Sequence, residues 1–167
     1  MIKEKGPACR QAGFTLIELL LYIAVASIIV FTTASLLRFT LESRIKNQTI
    51  AEVEQQGSQV MQLITQNVRN GTAINSPTIG ASSVSLSVDT TVFDLSSGAI
   101  RIKEGAGAVV NLTSSKVTVS SLNFQNLSRV GTPNIIRVSF TATYINNSGR
   151  NEYDFTKTFY GSGGLRK

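Results

Sequence analysis

Glu18 is the residue of this chain whose type and position most clearly suggest chemistry. It is the only charged side chain between Phe14 and Leu37, a run that is otherwise apolar or weakly polar. A carboxylate in such a helix costs about 3 kcal/mol at the centre of a bilayer, and less near its edge, unless a partner compensates it. We therefore expect Glu18 to pair with a positive charge or to serve a function.

The residue types that most often carry catalysis are missing from most of the chain. There is no histidine, and the single cysteine, Cys9, lies before the apolar run. The chain therefore lacks histidine, the commonest general base. From the apolar run onward it also has no thiol nucleophile and no cysteine to form a disulfide. The composition predicts a protein that is not an enzyme and that carries no cofactor.

Candidate metal and DNA sites are weaker. Asp89 and Asp94 form an acidic pair, but calcium takes six to eight oxygen ligands and no calcium-loop pattern surrounds the pair, so no metal site is predicted.

The net charge of +6 is a modest basic excess. Basic side chains of the C-terminal half could form a stripe that holds DNA, but no aromatic platform accompanies them, so a solvated polar face explains them better. They are Lys116, Arg129, Arg137, Arg150 and Lys157.

The run from Phe14 to Leu37 predicts a transmembrane helix. It would extend about 36 Å, more than the ~30 Å core of a bilayer. A secretory signal cleaved after the small-x-small triplet Ala24-Val25-Ala26 is an alternative, but the apolar run continues beyond Ala26 and an ordinary signal would not be expected to contain Glu18. A plain uncleaved single-pass anchor is the other alternative.

The sequence GFTLIELL, residues 13–20, places a glycine, an aromatic residue and an acid at the start of the apolar run. It resembles the processing site of type IV pilins and of the pseudopilins of type II secretion systems. The resemblance implies that a basic leader, residues 1–13, is removed after Gly13 by a prepilin peptidase and that Phe14 becomes the N-methylated first residue. It also implies that Glu18, at the fifth mature position, acts in assembly.

Charges before the apolar run favour a cytoplasmic N-terminus. Three basic residues precede the run, namely Lys3, Lys5 and Arg10. The predicted protein spans the inner membrane once, in contact with the lipid bilayer. Its leader is cytoplasmic and its head extracytoplasmic, and after assembly it lies in a filament or at the cell surface.

Residues 38–70 extend the predicted helix as an amphipathic half outside the membrane. They contain no proline, and Asn70-Gly71 is a favourable helix end, because glycine is preferred where the chain turns to positive φ. A single helix from about Thr15 to about Asn70 is predicted, with a break near Gly57 as the alternative. The apolar positions at near-helical spacing are Leu37, Leu41, Ile45, Val53, Val60, Ile64 and Val68.

Residues 75–167 predict a β-rich head. Alternation and turn residues indicate strands at Val84–Val88, Thr91–Leu95, Ala99–Lys103, Ala108–Leu112, Val117–Phe124 with a bulge at Ser120-Ser121, and Ile136–Tyr144. Asn146–Gly149 would form a turn after the last of these strands, and a return strand over Tyr153–Phe159 would complete a hairpin. The predicted fold class is α+β and pilin-like, with an antiparallel sheet packed on the exposed half of the helix.

Two functions of different classes follow. The first is a structural subunit, a minor pilin or pseudopilin, which assembles through its N-terminal helix into or at the tip of a type IV pilus-like or type II secretion filament. Its partners would be other pilin-like subunits and the inner-membrane assembly platform. The second is a membrane-anchored binding module, for DNA or a surface, without a filament role. Ser35 stands at the 22nd mature position, where many major pilins carry a helix-kinking proline, which favours a minor subunit or pseudopilin.

Overall fold

The computed structural model describes residues 14–166, so the predicted leader and Gly13 lie outside the described residues. The chain divides into two units, one ending at Leu41 and one beginning at Glu42. In the described part of the chain, one α-helix crosses the boundary between the units, and every strand belongs to the second.

One α-helix, α1, runs from Leu16 to Asn70 over 55 residues. The prediction of an unbroken helix is confirmed, and the alternative break at Gly57 is wrong. Gly71 does end the helix, and its N–H donates to the carbonyl of Asn67 at 2.9 Å. The reason differs from the expected one, because Gly71 is not among the residues with positive φ. A Cβ at Gly71 would lie 2.3 Å from Cγ1 of Val88, so the position needs glycine for space.

Within residues 14–166, the head contains nine strands in two antiparallel sheets. Their order is β1-β3-β4-β5-β6 in the first sheet and β2-β7-β8-β9 in the second, where the sequence predicted a single sheet. A short 3₁₀ helix, Asn151–Tyr153, precedes β9. The strands are β1 (Ile74–Ser76), β2 (Ser82–Ser83), β3 (Leu86–Val88), β4 (Thr91–Ser96), β5 (Ala99–Glu104), β6 (Val110–Asn111), β7 (Val117–Asn126), β8 (Ile135–Tyr144) and β9 (Thr156–Gly164).

Most predicted strands are present, with shifted ends. The bulge in β7 is confirmed, because its register against β8 shifts between Ser120 and Asn123 and Ser121 has a φ of 54°. Two predictions are wrong in extent, since residues 84 and 85 lie outside any strand and only Val110–Asn111 of the fourth predicted strand is extended. The predicted bounds of the return strand are also wrong. Tyr153, its predicted first residue, belongs to the 3₁₀ helix, and the strand runs from Thr156 to Gly164.

The core lies between one face of α1 and the inner faces of both sheets. Val53, Val60, Ile64 and Val68 are fully or almost fully buried there, as the helical spacing predicted. The first positions of that stripe do not join them, because Leu37 and Leu41 are exposed and Ile45 is only half-buried. The sheets contribute Leu86, Val88, Phe93, Ile100, Ile102, Val117, Val119, Leu122, Phe124, Ile136, Val138, Phe140 and Ala142.

Strand β9 lies very close to the helix at two glycines. A Cβ at Gly161 would lie 2.3 Å from Sδ of Met61, and a Cβ at Gly163 would lie 3.2 Å from Val68. Real Cβ atoms do not approach other heavy atoms to 2.3 Å, so at Gly161 any larger residue would push the strand or Met61 away. The end of β9 can therefore lie this close to α1 because Gly161 and Gly163 have no side chains.

Candidate functional site

The N-terminal part of α1 is an exposed apolar surface. Every residue from Phe14 to Leu41 is exposed, including Leu16 at 77% and Phe31 at 72%. By length and composition this helix can cross a membrane, and none of its most apolar window is buried within the chain. A surface of this size in water would drive association, so it calls for lipid or neighbouring helices.

The small hydroxyls of this segment are satisfied within the helix. Five serine and threonine side chains donate to backbone carbonyls three or four residues earlier, at 2.7–2.9 Å. They belong to Ser27, Thr32, Thr33, Ser35 and Thr40. Such bonds are how polar side chains are accommodated where no water is available. The segment is therefore compatible with a bilayer despite its hydroxyls.

Glu18 lies in the first turn of α1, beside the helix cap. Its N–H donates to the carbonyl of Thr15 at 3.1 Å and to Oγ1 of Thr15 at 3.3 Å, so Thr15 is the N-cap residue. The spacing Thr-x-x-Glu, which the sequence contains at residues 15–18, is that of a capping box, and it marks the start of the helix. The Glu18 side chain makes no hydrogen bond or ion pair with another residue of the described range 14–166.

Phe14 lies before the helix and within reach of its second turn. Its ring is 71% exposed and contacts Tyr22, with 5.9 Å between ring centroids and an interplanar angle of 57°. Phe14 and Glu18 are four residues apart, about one helical turn. The described part of the predicted processing site is therefore accessible.

Residues 9–34 match the family model of the prokaryotic N-terminal methylation motif. The chain carries the type IV pilin and pseudopilin signal. No curated protein and no solved structure matches the chain. The pilin signal implies processing by a prepilin peptidase and assembly with other pilin subunits, and together with the apolar helix it suggests membrane anchoring. The motif is typical of structural proteins, not of catalysts.

The pilin signal includes all three residues that the sequence analysis singled out, namely Gly13, Phe14 and Glu18. The matched region ends at residue 34, within the apolar part of α1. The helix and antiparallel sheets that follow form the α+β, pilin-like arrangement that the sequence predicted.

The acidic pair is used inside the head. Asp89 accepts hydrogen bonds from the N–H and hydroxyl of Thr72 and from the N–H of Ala73, at 2.6–2.9 Å. These donors, the Thr72 hydroxyl above all, hold the pKa of the Asp89 carboxyl below its usual value. Asp94 instead accepts two hydrogen bonds from Arg101. Among the described residues no cluster of three or more potential metal ligands occurs.

Three of the five candidate DNA-binding side chains lie beside carboxylates. Lys157 pairs with Glu54 at 2.6 Å, Arg150 with Glu152 at 2.9 Å, and Lys116 lies 3.9 Å from Glu52. Glu52 and Glu54 belong to α1. Two of these contacts therefore connect α1 to the second sheet, one through Lys157 of β9 and one through Lys116, which directly precedes β7. The positive charge that a DNA stripe would use is partly compensated in the head.

Proposed function

We propose that this chain is a structural subunit, a minor pilin or pseudopilin, which assembles through α1 into or at the tip of a filament of the type IV pilus or type II secretion kind. The observation that carries this proposal is the exposed apolar segment from Phe14 to Leu41, headed by the pilin signal. Lipid covers such a surface before assembly, and the helices of neighbouring subunits cover it afterwards.

Glu18 sets the register of that assembly. Cleavage after Gly13 would create an amine at Phe14, one turn from the carboxylate. In an apolar medium each charge needs a partner, so the amine of an incoming subunit meets the Glu18 carboxylate of one already in place. A buried ion pair adds little net stability. Removing one partner destabilises the assembly by about 3–5 kcal/mol, because the other charge is left buried and uncompensated. The pair therefore specifies position more than strength.

The membrane arrangement follows from the same argument. Residues 14–37 cross the inner membrane once, residues 38–70 continue as the exposed half of the helix, and residues 75–167 form the head outside the cytoplasm. The three basic residues that precede the helix favour this orientation.

Two measurements on the native membrane fraction test the proposal. Mass spectrometry of the N-terminus should find methylated Phe14, and mild cross-linking should capture other pilin-like subunits. A mature start at Ser27 would establish a secretory signal, and a chain that cross-links to no sibling would support the anchored binding module. A Gly13→Leu variant supplies the control, because it should remain as full-length precursor in the membrane.

A further inference from the structure

A polar pocket lies between the two sheets of the head. Its volume is about 460 Å³. The turn between β4 and β5 forms one wall, and the loop that joins β6 to β7 forms another, with Thr118 of β7 and Ile145 beside them. This volume falls in the ~300–1,000 Å³ range of small-molecule sites.

The lining of the pocket carries several hydroxyls and one side-chain amide that have no partner among the described residues. Within residues 14–166, the side chains of Ser97, Asn111, Ser115 and Thr118 make no hydrogen bond to another residue, although all four line the pocket. A hydroxyl both donates and accepts, as does an amide. The lining therefore suits a ligand whose own groups do both.

Thr113 adds a buried group that needs a partner. The residue lines the pocket and is only 7% exposed, and its Oγ1 is the one buried side-chain oxygen or nitrogen of the described chain without a hydrogen bond. Leaving such a group unpaired costs about 1–3 kcal/mol. Unsatisfied buried groups of this kind are rare in folded proteins, and this oxygen has almost no solvent-accessible surface, so a ligand in the pocket reaches it only if the lining shifts.

Both walls are held in place without a ligand. On one side, Gln56 of α1 accepts from the N–H of Ser114 at 2.9 Å and donates to the Ser114 hydroxyl at 2.6 Å. On the other side, the carbonyl of Gly98 accepts from the N–H of Val119 at 2.7 Å, which fixes the β4–β5 turn to β7. The pocket is therefore preformed, which lowers the entropic cost of binding.

The charge in the pocket is compensated. Arg101 is the only charged residue in the lining, and its Nε and Nη2 donate to the two oxygens of Asp94 at 2.8 and 2.7 Å. This bidentate pair neutralises the guanidinium but leaves three of its five N–H donors for other acceptors. A neutral ligand with many hydroxyls fits these donors better than an anion does.

We propose that this pocket binds a neutral polyhydroxylated ligand, a sugar unit of a glycan. The hydroxyls of Ser97, Ser115 and Thr118 and the amide of Asn111 exchange hydrogen bonds with the sugar hydroxyls. Arg101 donates to them from its free N–H groups. Ile145 and Gly98 supply apolar surface for the C–H side of the ring. This binding is separate from assembly through α1, and neither requires the other.

The test uses the full chain in sugar-free detergent micelles or nanodiscs. A glycan array of neutral oligosaccharides locates a ligand. Saturation-transfer NMR then measures the binding of glucose and N-acetylglucosamine, and the line width of the phosphorus NMR signal measures the binding of inorganic phosphate. Thr118→Val keeps the shape and removes one hydroxyl, and Ser115→Ala removes another, so each should weaken binding about tenfold. Thr141→Val is the matched control, because its hydroxyl lies 3.0 Å from that of Thr158 and outside this pocket.

The expected result is binding of a neutral sugar, weakened in both pocket variants and unchanged in the control. Three results would each overturn the proposal: no neutral glycan binds, phosphate binds as well as the sugars, or both pocket variants bind as the wild type does. Melting temperatures of the variants show whether any loss reflects the pocket or the fold.

Discussion

The ring of Phe159 occupies the space that a side chain at Gly57 would need. A Cβ at Gly57 would lie 2.2 Å from Cζ of Phe159. The ring is also stacked on Phe140, with 5.3 Å between centroids and 22° between planes, so it is held from its other side as well. The glycine that the sequence offered as a break in the helix is the point where β9 approaches α1.

Gly57→Ala should destabilise the head, although alanine favours a helix over glycine by about 1 kcal/mol. Overpacking against a ring that cannot move freely costs about 1–3 kcal/mol, and this exceeds the gain in helix propensity. Urea unfolding of the full chain in detergent, followed by circular dichroism, measures the change. Ser58→Ala at the exposed neighbouring position should stay within about 0.5 kcal/mol of the wild type. A Gly57→Ala protein more stable than the wild type would show that Phe159 yields easily.

The head should fold only with the helix face that covers it. Val53, Val60, Ile64 and Val68 close the core over both sheets, and a sheet without that cover leaves its apolar face wet. A fragment that begins near Arg38 should unfold cooperatively in urea, while one that begins at Asn75 should aggregate or lack a cooperative transition. Equal stability of the two fragments would mean that α1 is not part of the core.

Acid should weaken the junction between α1 and β3 through Asp89. Because its folded-state pKa lies below the unfolded value of about 3.9, the carboxylate stabilises the fold fully above that value. This stabilisation is lost as pH falls through the lower folded-state pKa. Asp89→Asn should therefore lower the free energy of unfolding at neutral pH and reduce the further loss of that free energy in acid. Asparagine tolerates the φ of 49° at this position, so the backbone is not strained by the change. Urea midpoints across the acid range measure both effects, with Glu104→Gln at an exposed position of β5 as the comparison.

Replacing Glu18 should separate assembly from insertion. Glu18→Gln removes the charge that the proposed pairing needs, so membrane insertion and cleavage after Gly13 should persist while cross-linking to sibling subunits falls sharply. Thr15→Val provides the matched control, because it removes the hydroxyl of the helix cap and keeps the carboxylate. Loss of cross-linking in Thr15→Val alone would assign the effect to the cap. Normal cross-linking in Glu18→Gln would mean that the carboxylate only reaches the headgroups.

The helix and most strands could be predicted because their signals are local. The bulge at Ser120-Ser121 is visible as a slip in alternation, and Gly71 marks the helix end by its type alone. The division into two sheets was missed, because strand alternation identifies an inner face but not which strands are neighbours. The pocket could not be predicted either, since Gln56 and Ser114 are 58 residues apart in sequence. Whether Gly57 breaks a helix or admits a ring depends on Phe159, which is even farther away in the sequence.

The internal hydrogen bonds of Ser27, Thr32, Thr33 and Ser35 leave the sides of the apolar segment chemically uniform. Apart from Glu18 and the Tyr22 hydroxyl, each side presents hydrocarbon, so we expect the segment to have little angular preference when it meets another helix. In the proposed filament, rotation about the helix axis or sliding along it breaks no hydrogen bond, and only the pairing of Glu18 resists it. We therefore expect a bundle of such helices, in the proposed filament, to stretch and twist under load while its interior stays dry, and we expect this segment to make that assembly compliant.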